Sequence, residues 1–316
     1  MQRLNLIFIL FLVAVMAFAQ QPIPRDTSFT IQSTFVKEKK YRPYIEIARP
    51  EMSDEVTSLK DQVYKKLRER ELKADVYYPK KKIKGNYPGV ILIHGGGWRS
   101  GDKSQTNSMA IALANEGYVA VCVEYRLSLE AKFPEAVYDI KSAIRWMRAN
   151  SKKFNLDSEK IATLGMSAGG QLATLVGFTS FNKAYEDAIG NPKQSSAIQA
   201  VVNIDGTLSF HHPESQEGAA TVLWLNGTYE EIPKVWESAS PLDQVTKHSP
   251  PIVFINSSIP RYHAGRDDVV KKLNSFHIYS EVHTLADTPH PFWFFNPWFT
   301  PTVKHVVTFL DKTFKN

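Results

Sequence analysis

Lys160-Ile161-Ala162-Thr163-Leu164-Gly165-Met166-Ser167-Ala168-Gly169-Gly170 is an apolar run that closes on G-x-S-x-G and leads into a second apolar stretch ending at Phe178. Lys160–Leu164 reads as a buried strand and Ala168–Phe178 as a helix. A sharp strand-to-helix turn brings two backbones so close that its flanking residues must be small, and it lifts the central side chain above the sheet. Ser167 is therefore the candidate nucleophile. The N-terminus of the helix that follows favours negative charge developing beside an attacked carbonyl.

The same rhythm extends in both directions. Leu72–Tyr78, Pro88–His94 and Tyr118–Tyr125 read as strands before the motif, and Ile198–Ile204, Pro251–Ile255 and Ser280–Leu285 after it. Helical spacing falls at Ser104–Glu116, in a helix opened by Pro134, around Asp267–Phe276, and over Pro301–Phe314 with Thr300 as N-cap and Pro301 at the first position. Apolar strands alternating with helices predict a parallel sheet covered on both faces and joined by right-handed crossovers. Residues 206–247 break the pattern and read as a cap or substrate loop. Residues 20–60 read as an N-terminal arm of little periodicity, which puts the catalytic domain at 61–316.

A second motif, His94-Gly95-Gly96-Gly97-Trp98, directly follows a predicted strand. Consecutive glycines leave backbone N–H groups unobstructed, and a tetrahedral oxyanion needs such preorganised donors. Gly96 and Gly97 with the N–H of Ala168 are the candidate oxyanion hole, and His94 is read as fixing the loop. A phosphate-cradling loop would need Lys-Ser/Thr after the glycines, which is missing.

With 316 residues, 43% hydrophobic and 22% charged, the chain is long enough for one large catalytic domain, and its composition excludes a disordered or fibrous protein. The balance of 38 basic to 32 acidic residues gives +6, a hint of an acidic partner. The basic residues form no stripe interleaved with aromatics, which argues against nucleic acid. Arg3 followed by the apolar run Leu4–Phe18 and Ala17-Phe18-Ala19 reads as a signal peptide over residues 1–19, cut after Ala19, so a secreted or periplasmic protein with no membrane span is expected. Cys122 is the single cysteine and forms no internal disulfide. No H-x-x-x-H or cysteine pair suggests a metal, and adjacent His211-His212 is poor ligand geometry. The sequence carries no signature of oligomeric state.

The H-G-G-G-W loop, Tyr125-Arg126-Leu127, Asn155-Leu156-Asp157 and Gly165–Gly170 resemble the α/β-hydrolases of the hormone-sensitive-lipase and bacterial esterase group, from about Leu72 to the C-terminus. The resemblance implies an eight-stranded, mostly parallel α/β sheet with helices on both faces and a short cap. It also implies a serine esterase without cofactor, its triad in the chain order Ser, acid, His. The histidine should follow the last strand, where Thr288-Pro289-His290-Pro291 lies, so His290 is the expected base. The acid departs from the group's pattern, because Asn256–Ala264, after the strand Pro251–Ile255, holds no carboxylate. Asp205 at the end of Ile198–Ile204 is the first candidate, Asp267 or Asp268 the second, and Glu281 or Asp287 remain. The competing role of Asp267 and Asp268 is helix capping.

The wording of Pro250–Phe299 is similar to secreted bacterial esterases of plant-polysaccharide degraders, which favours a polysaccharide ester as substrate. Pectin is the first expectation, as methyl or acetyl ester, because Arg261 and Arg266 flank the region. Acetylated xylan and a general carboxylesterase or lipase activity are the alternatives, and a non-catalytic binding protein would be expected to lose Ser167 or His290. Trp98, Arg261 and Trp293 are the expected substrate contacts. Trp224 and Trp236 of the cap, with Phe292, Trp293, Phe294, Phe295, Trp298 and Phe299, fit either sugar stacking or ordinary packing.

Overall fold

The structure is a computed structural model that describes residues 26–68, 70–216 and 218–315. The expected leader and residues 20–25 of the arm lie outside the described residues. Eight strands make one sheet: β1 (Val56–Lys66), β2 (Glu71–Pro79), β3 (Tyr87–Ile93), β4 (Val119–Val123), β5 (Leu156–Met166), β6 (Ala200–Ile204), β7 (Ile252–Asn256) and β8 (Ser280–Thr284). Their order is β1-β2-β4-β3-β5-β6-β7-β8. The β1/β2 and β2/β4 pairs are antiparallel and all the others parallel.

The helices longer than one turn are α1 (Ile31–Lys39), α2 (Asn107–Asn115), α3 (Glu135–Ala149), α4 (Ala168–Phe178), α5 (Ala219–Leu225), α6 (Pro233–Ala239), α7 (Arg266–Ser275) and α8 (Phe299–Phe314). Side chains along a strand alternate between faces, so a wholly apolar strand feeds two cores. In β3, Ile91 and Ile93 pack with Ile140 and Ile144 of α3 and Leu172 of α4. Val90 and Leu92 pack on the other face with Met109 of α2 and Phe309 of α8. Each such side chain, fully buried, contributes about 1.5–3 kcal/mol. Cys122 in β4 is buried, and burial pushes its thiol up to about 12, so it stays protonated and unreactive. No helix among the described residues is long and apolar enough to cross a membrane.

Three regions differ from the sequence reading in what they hold. The arm is structured: it holds α1, a two-residue strand Glu46–Ile47 paired with Phe295–Asn296, and the start of β1, so a domain border at 60/61 cuts through a strand. β1 escapes a periodicity search because it is a polar edge strand whose buried Lys65 is held by Asp139 and Asp187 at 2.8 and 2.6 Å. The last helix starts at Phe299, so Thr300 is inside it rather than capping it, and Pro301 falls in the first turn, where no N–H is needed. The region 206–247 carries α5, α6 and a 3₁₀ turn at Pro241–Gln244.

Candidate active site

The C-terminal ends of β3, β5, β6 and β8 converge, and each delivers one part of the site. Ser167 follows β5 with φ 54° and ψ −125°, a strained conformation, and its N–H bonds Ile204 O at 2.9 Å. A side chain at Gly165 would meet the carbonyl oxygen of Gly169 at 1.9 Å and one at Gly169 would meet the carbonyl oxygen of Ile93 at 2.1 Å, so both flanks of the turn must be glycine. His290 Nε2 lies 2.8 Å from Ser167 Oγ, and His290 Nδ1 lies 3.0 Å from Asp205 Oδ2. Asp205 follows β6, itself at positive φ, and its Oδ1 accepts the Ser257 N–H at 2.8 Å.

Burial pushes the Asp205 carboxyl up, but the imidazoles of His263 and His290, the charge of His290 and the Ser257 contact outweigh it and bring the group down to about 2. Asp205 is thus a carboxylate at every working pH. The other candidate acids lie elsewhere. Asp267 is exposed and bonds Arg266 at 2.8 Å, Asp268 sits 3.3 Å from His212, and Glu281 sits 3.0 Å from His283. Asp287 is exposed on its loop.

The glycine loop is closed by Ser100, whose N–H and hydroxyl both donate to Gly96 O, at 3.0 and 2.9 Å. A Cβ at Gly96 would stand 2.2 Å from Ser100 O, so that turn requires glycine. No backbone bond among the described residues uses the N–H groups of Gly97 or Ala168. Both residues line, with Ser167, a pocket of about 150 Å³. His94 is buried, stacks on Tyr125 at 4.4 Å and bonds Gly95 O at 2.8 Å, which makes it part of the loop's scaffold.

A family model described as BD-FAE matches residues 74–281, well over half of the chain. The chain belongs to the BD-FAE family. Esterase LipC of Mycobacterium tuberculosis is 33% identical over 177 residues, which are 54% of this chain and 44% of LipC, so the chain spans less than half of that curated relative. A truncated carbohydrate esterase from gut microbiota superposes with a TM-score of 0.71 at 22% identity, over 86% of this chain and 100% of the other. A bifunctional GH43-CE protein of Bacteroides eggerthii gives 0.70 at 25% identity, over 81% of this chain and 38% of that one. The fold is that of the α/β-hydrolase esterases.

In this BD-FAE chain the expected substrate contacts fare differently. Trp98 is nearly buried: it stacks on Trp224 at 5.0 Å, its Nε1 donates to Gln171 Oε1 at 2.9 Å, and it lines the small pocket. Trp293 is 2% exposed and meets His290 edge-on at 5.1 Å, so it supports the base rather than facing substrate. Phe292, Phe294, Phe295, Trp298 and Phe299 are buried in the core, as are Trp224 and Trp236, which settles those aromatics as packing. Arg261 is exposed and lies over the Tyr262 ring at 4.4 Å, while Arg266 turns to Asn256 and Asp267.

Two residues near the relay escape the sequence reading. Tyr262 stacks on His290 at 3.4 Å, nearly parallel. His263 occupies the loop where the usual acid would stand, and its Nδ1 comes to 3.5 Å from Asp205 Oδ1, the limit of a hydrogen bond. Their signal lay in the run Pro260-Arg261-Tyr262-His263, rich in rings where a carboxylate was sought.

Replacing His263 by alanine should lower kcat on a small aryl acetate by about fivefold, the weight of one weak charge-assisted contact. The same change has a pH signature. Asp205 ionises more readily folded than unfolded, so its stabilising effect is complete above the ordinary value of 3.8 and is lost as pH falls towards 2. Without His263 the folded carboxyl is held down less, so the stabilisation present above the ordinary value is smaller and there is less of it to lose on acidification. The urea midpoint of the variant should therefore lie below that of the wild type at neutral pH, and the gap should close as pH falls through 3.8 towards 2; a gap that does not change with pH would contradict this role.

Proposed function

We propose that the protein is a serine carboxylic-ester hydrolase that removes short acyl groups, acetyl above all, from a bulky carbohydrate alcohol. Ser167 gives its proton to His290 Nε2 and attacks the ester carbonyl, while the N–H groups of Gly97 and Ala168 receive the oxyanion. His290 returns the proton to the leaving alcohol, and water then releases the acid by the same route. Asp205 holds the His290 tautomer and stabilises its charged form.

The observation that carries this reading is the hydrogen-bonded Ser167–His290–Asp205 relay, set between two spaces of unequal size. The leaving oxygen must lie at His290 Nε2, so the alcohol occupies the open cleft that His290 lines with Gly96 and Ser167, about 350 Å³. The acyl group points away from it into the pocket of about 150 Å³ floored by Trp98 and Ala220. That is about the space a benzene molecule needs. An acetyl or butyryl group fits, whereas a pectin methyl ester would have to place its sugar there. The likeness to LipC and to the two carbohydrate-esterase structures supports the reaction class. The reading includes export, with residues 1–19 removed, and acetylated pectin ahead of acetylated xylan.

Incubation with acetylated and methylated polysaccharides should release acetate and no methanol. On aryl esters kcat/KM should fall on the order of tenfold or more between butyrate and octanoate, the cost of overfilling a small pocket. Methanol from pectin, or a preference for long acyl chains, would overturn the assignment of the two spaces and favour a general carboxylesterase or lipase.

A further inference from the structure

Two walls border His290. One is the loop with Ile259 and Tyr262. The other is the segment that runs from Asp26 through α1 to Arg42. Between them lies a cleft of about 590 Å³, continuous with the space over Ser167 through Ser28, Phe29 and His290.

The segment is fixed to the two loops that build the site. Asp26 pairs with Arg99 at 2.8 Å and bridges Ser100, next to the glycine turn. The Phe29 carbonyl accepts from Gln105 Nε2 at 2.8 Å. Phe29 and Phe35 pack against Phe294 and Phe295, the aromatic run beyond His290, at 6.2 and 6.1 Å. Thr30 and Ser33 close a reciprocal capping box that sets where α1 begins.

The charge of this wall is uneven. Lys37, Glu38 and Arg42 all line the cleft. Arg42 bonds Glu38 at 2.8 Å, and Asp26 is neutralised by Arg99. Lys37 has no ion-pair partner among the described residues, and Arg261 adds a further cation beside Tyr262 on the other wall. Nothing in the lining offsets this excess, so the cleft favours an anionic occupant, and its volume of about 590 Å³ leaves room for a sugar unit, with Phe29 and Ile259 as apolar lining and Ser28 as a hydroxyl partner.

We infer that the Asp26–Arg42 segment is the leaving-group subsite, and that Lys37, with Arg42 behind it, binds a carboxylate carried by a uronic acid unit next to the cleaved ester. The inference rests on the ester-hydrolase reading, because that reading puts the alcohol on the His290 side. It moves the acid recognition from Arg266, which is turned away, to a stretch of chain with no sequence motif.

Ser167→Ala protein binds without turnover, so titration with a short oligogalacturonide tests the subsite apart from the chemistry. A neutral xylo-oligosaccharide of equal length is the comparison. The acidic oligomer should bind more tightly, and added salt should narrow the difference. Lys37→Glu in the Ser167→Ala background should cost roughly fivefold in affinity for the acidic oligomer, Lys37→Gln less, and neither should change the neutral one. Lys81→Glu, exposed in the β2–β3 turn at the opposite end of the sheet, makes the same change in net charge and should do nothing. Equal binding of the two oligomers, or an equal effect from Lys81→Glu, would overturn the inference. Failure of the underlying reading looks different: the wild-type protein would then be inert towards an aryl acetate whatever the oligomers do.

Discussion

Ser167→Ala should lose hydrolysis of an aryl acetate by about three or more orders of magnitude while keeping the wild-type circular dichroism and urea midpoint. The size of the effect follows from the relay: without Oγ, His290 Nε2 has no nucleophile at 2.8 Å to deprotonate. What is left is the polarising effect of the Gly97 and Ala168 N–H groups on an ester that only water can attack. The fold should be indifferent, because the strain at Ser167 lies in its backbone, held by the Ile204 carbonyl and the Gly165–Gly169 contact, and alanine inherits it unchanged. Retained turnover would remove the serine mechanism.

Asp205→Asn should drop turnover by about 10⁴, the cost of an amide in place of a triad carboxylate. The carboxylate fixes the proton on His290 Nδ1 at 3.0 Å, leaving Nε2 free to accept from Ser167. An amide can present its NH₂ to that nitrogen and so select the opposite tautomer. The side chain is buried with Ser257 and His263 around it, so neither water nor another acid can take its place. Asp267→Asn is the matched control, since that carboxylate is exposed on the first turn of α7 and pairs with Arg266. Full activity in Asp205→Asn with loss in Asp267→Asn would reassign the acid.

The core of the fold was legible because its signal is local. β3, β4 and β6 are short runs buried on both faces, and the G-x-S-x-G turn is a steric demand that only small residues meet. His290 and Asp205 were readable as strand-end positions, whereas the choice among five carboxylates was not. It depends on which loop folds over which strand end, a long-range fact carried by the Ser257 N–H, which bonds back across 52 residues of chain to Asp205, and by His263, which comes to 3.5 Å from the same carboxylate. The aromatic residues misled in the other direction. Trp224, Trp236 and Trp293 look like sugar platforms in a polar sequence, yet they bury against Trp98, Phe210 and His290, and burial is what a large ring gains most from. The arm was illegible for the opposite reason: α1 has little apolar content of its own, and the arm is held by side chains 70 to 260 residues away: Arg99 on Asp26, Gln105 on Phe29 and Phe295 on Phe35 of α1.

The central claim is that Ser167 forms a covalent bond to the acyl carbon of an ester, and the most direct test is to trap it. Incubation with an aryl phosphonate, followed by intact-mass measurement and peptide mapping, should show one adduct per chain, on the peptide that carries Ser167, formed slowly or not at all in Asp205→Asn and absent in Ser167→Ala. An unmodified protein, or an adduct that persists in Ser167→Ala, would contradict the account.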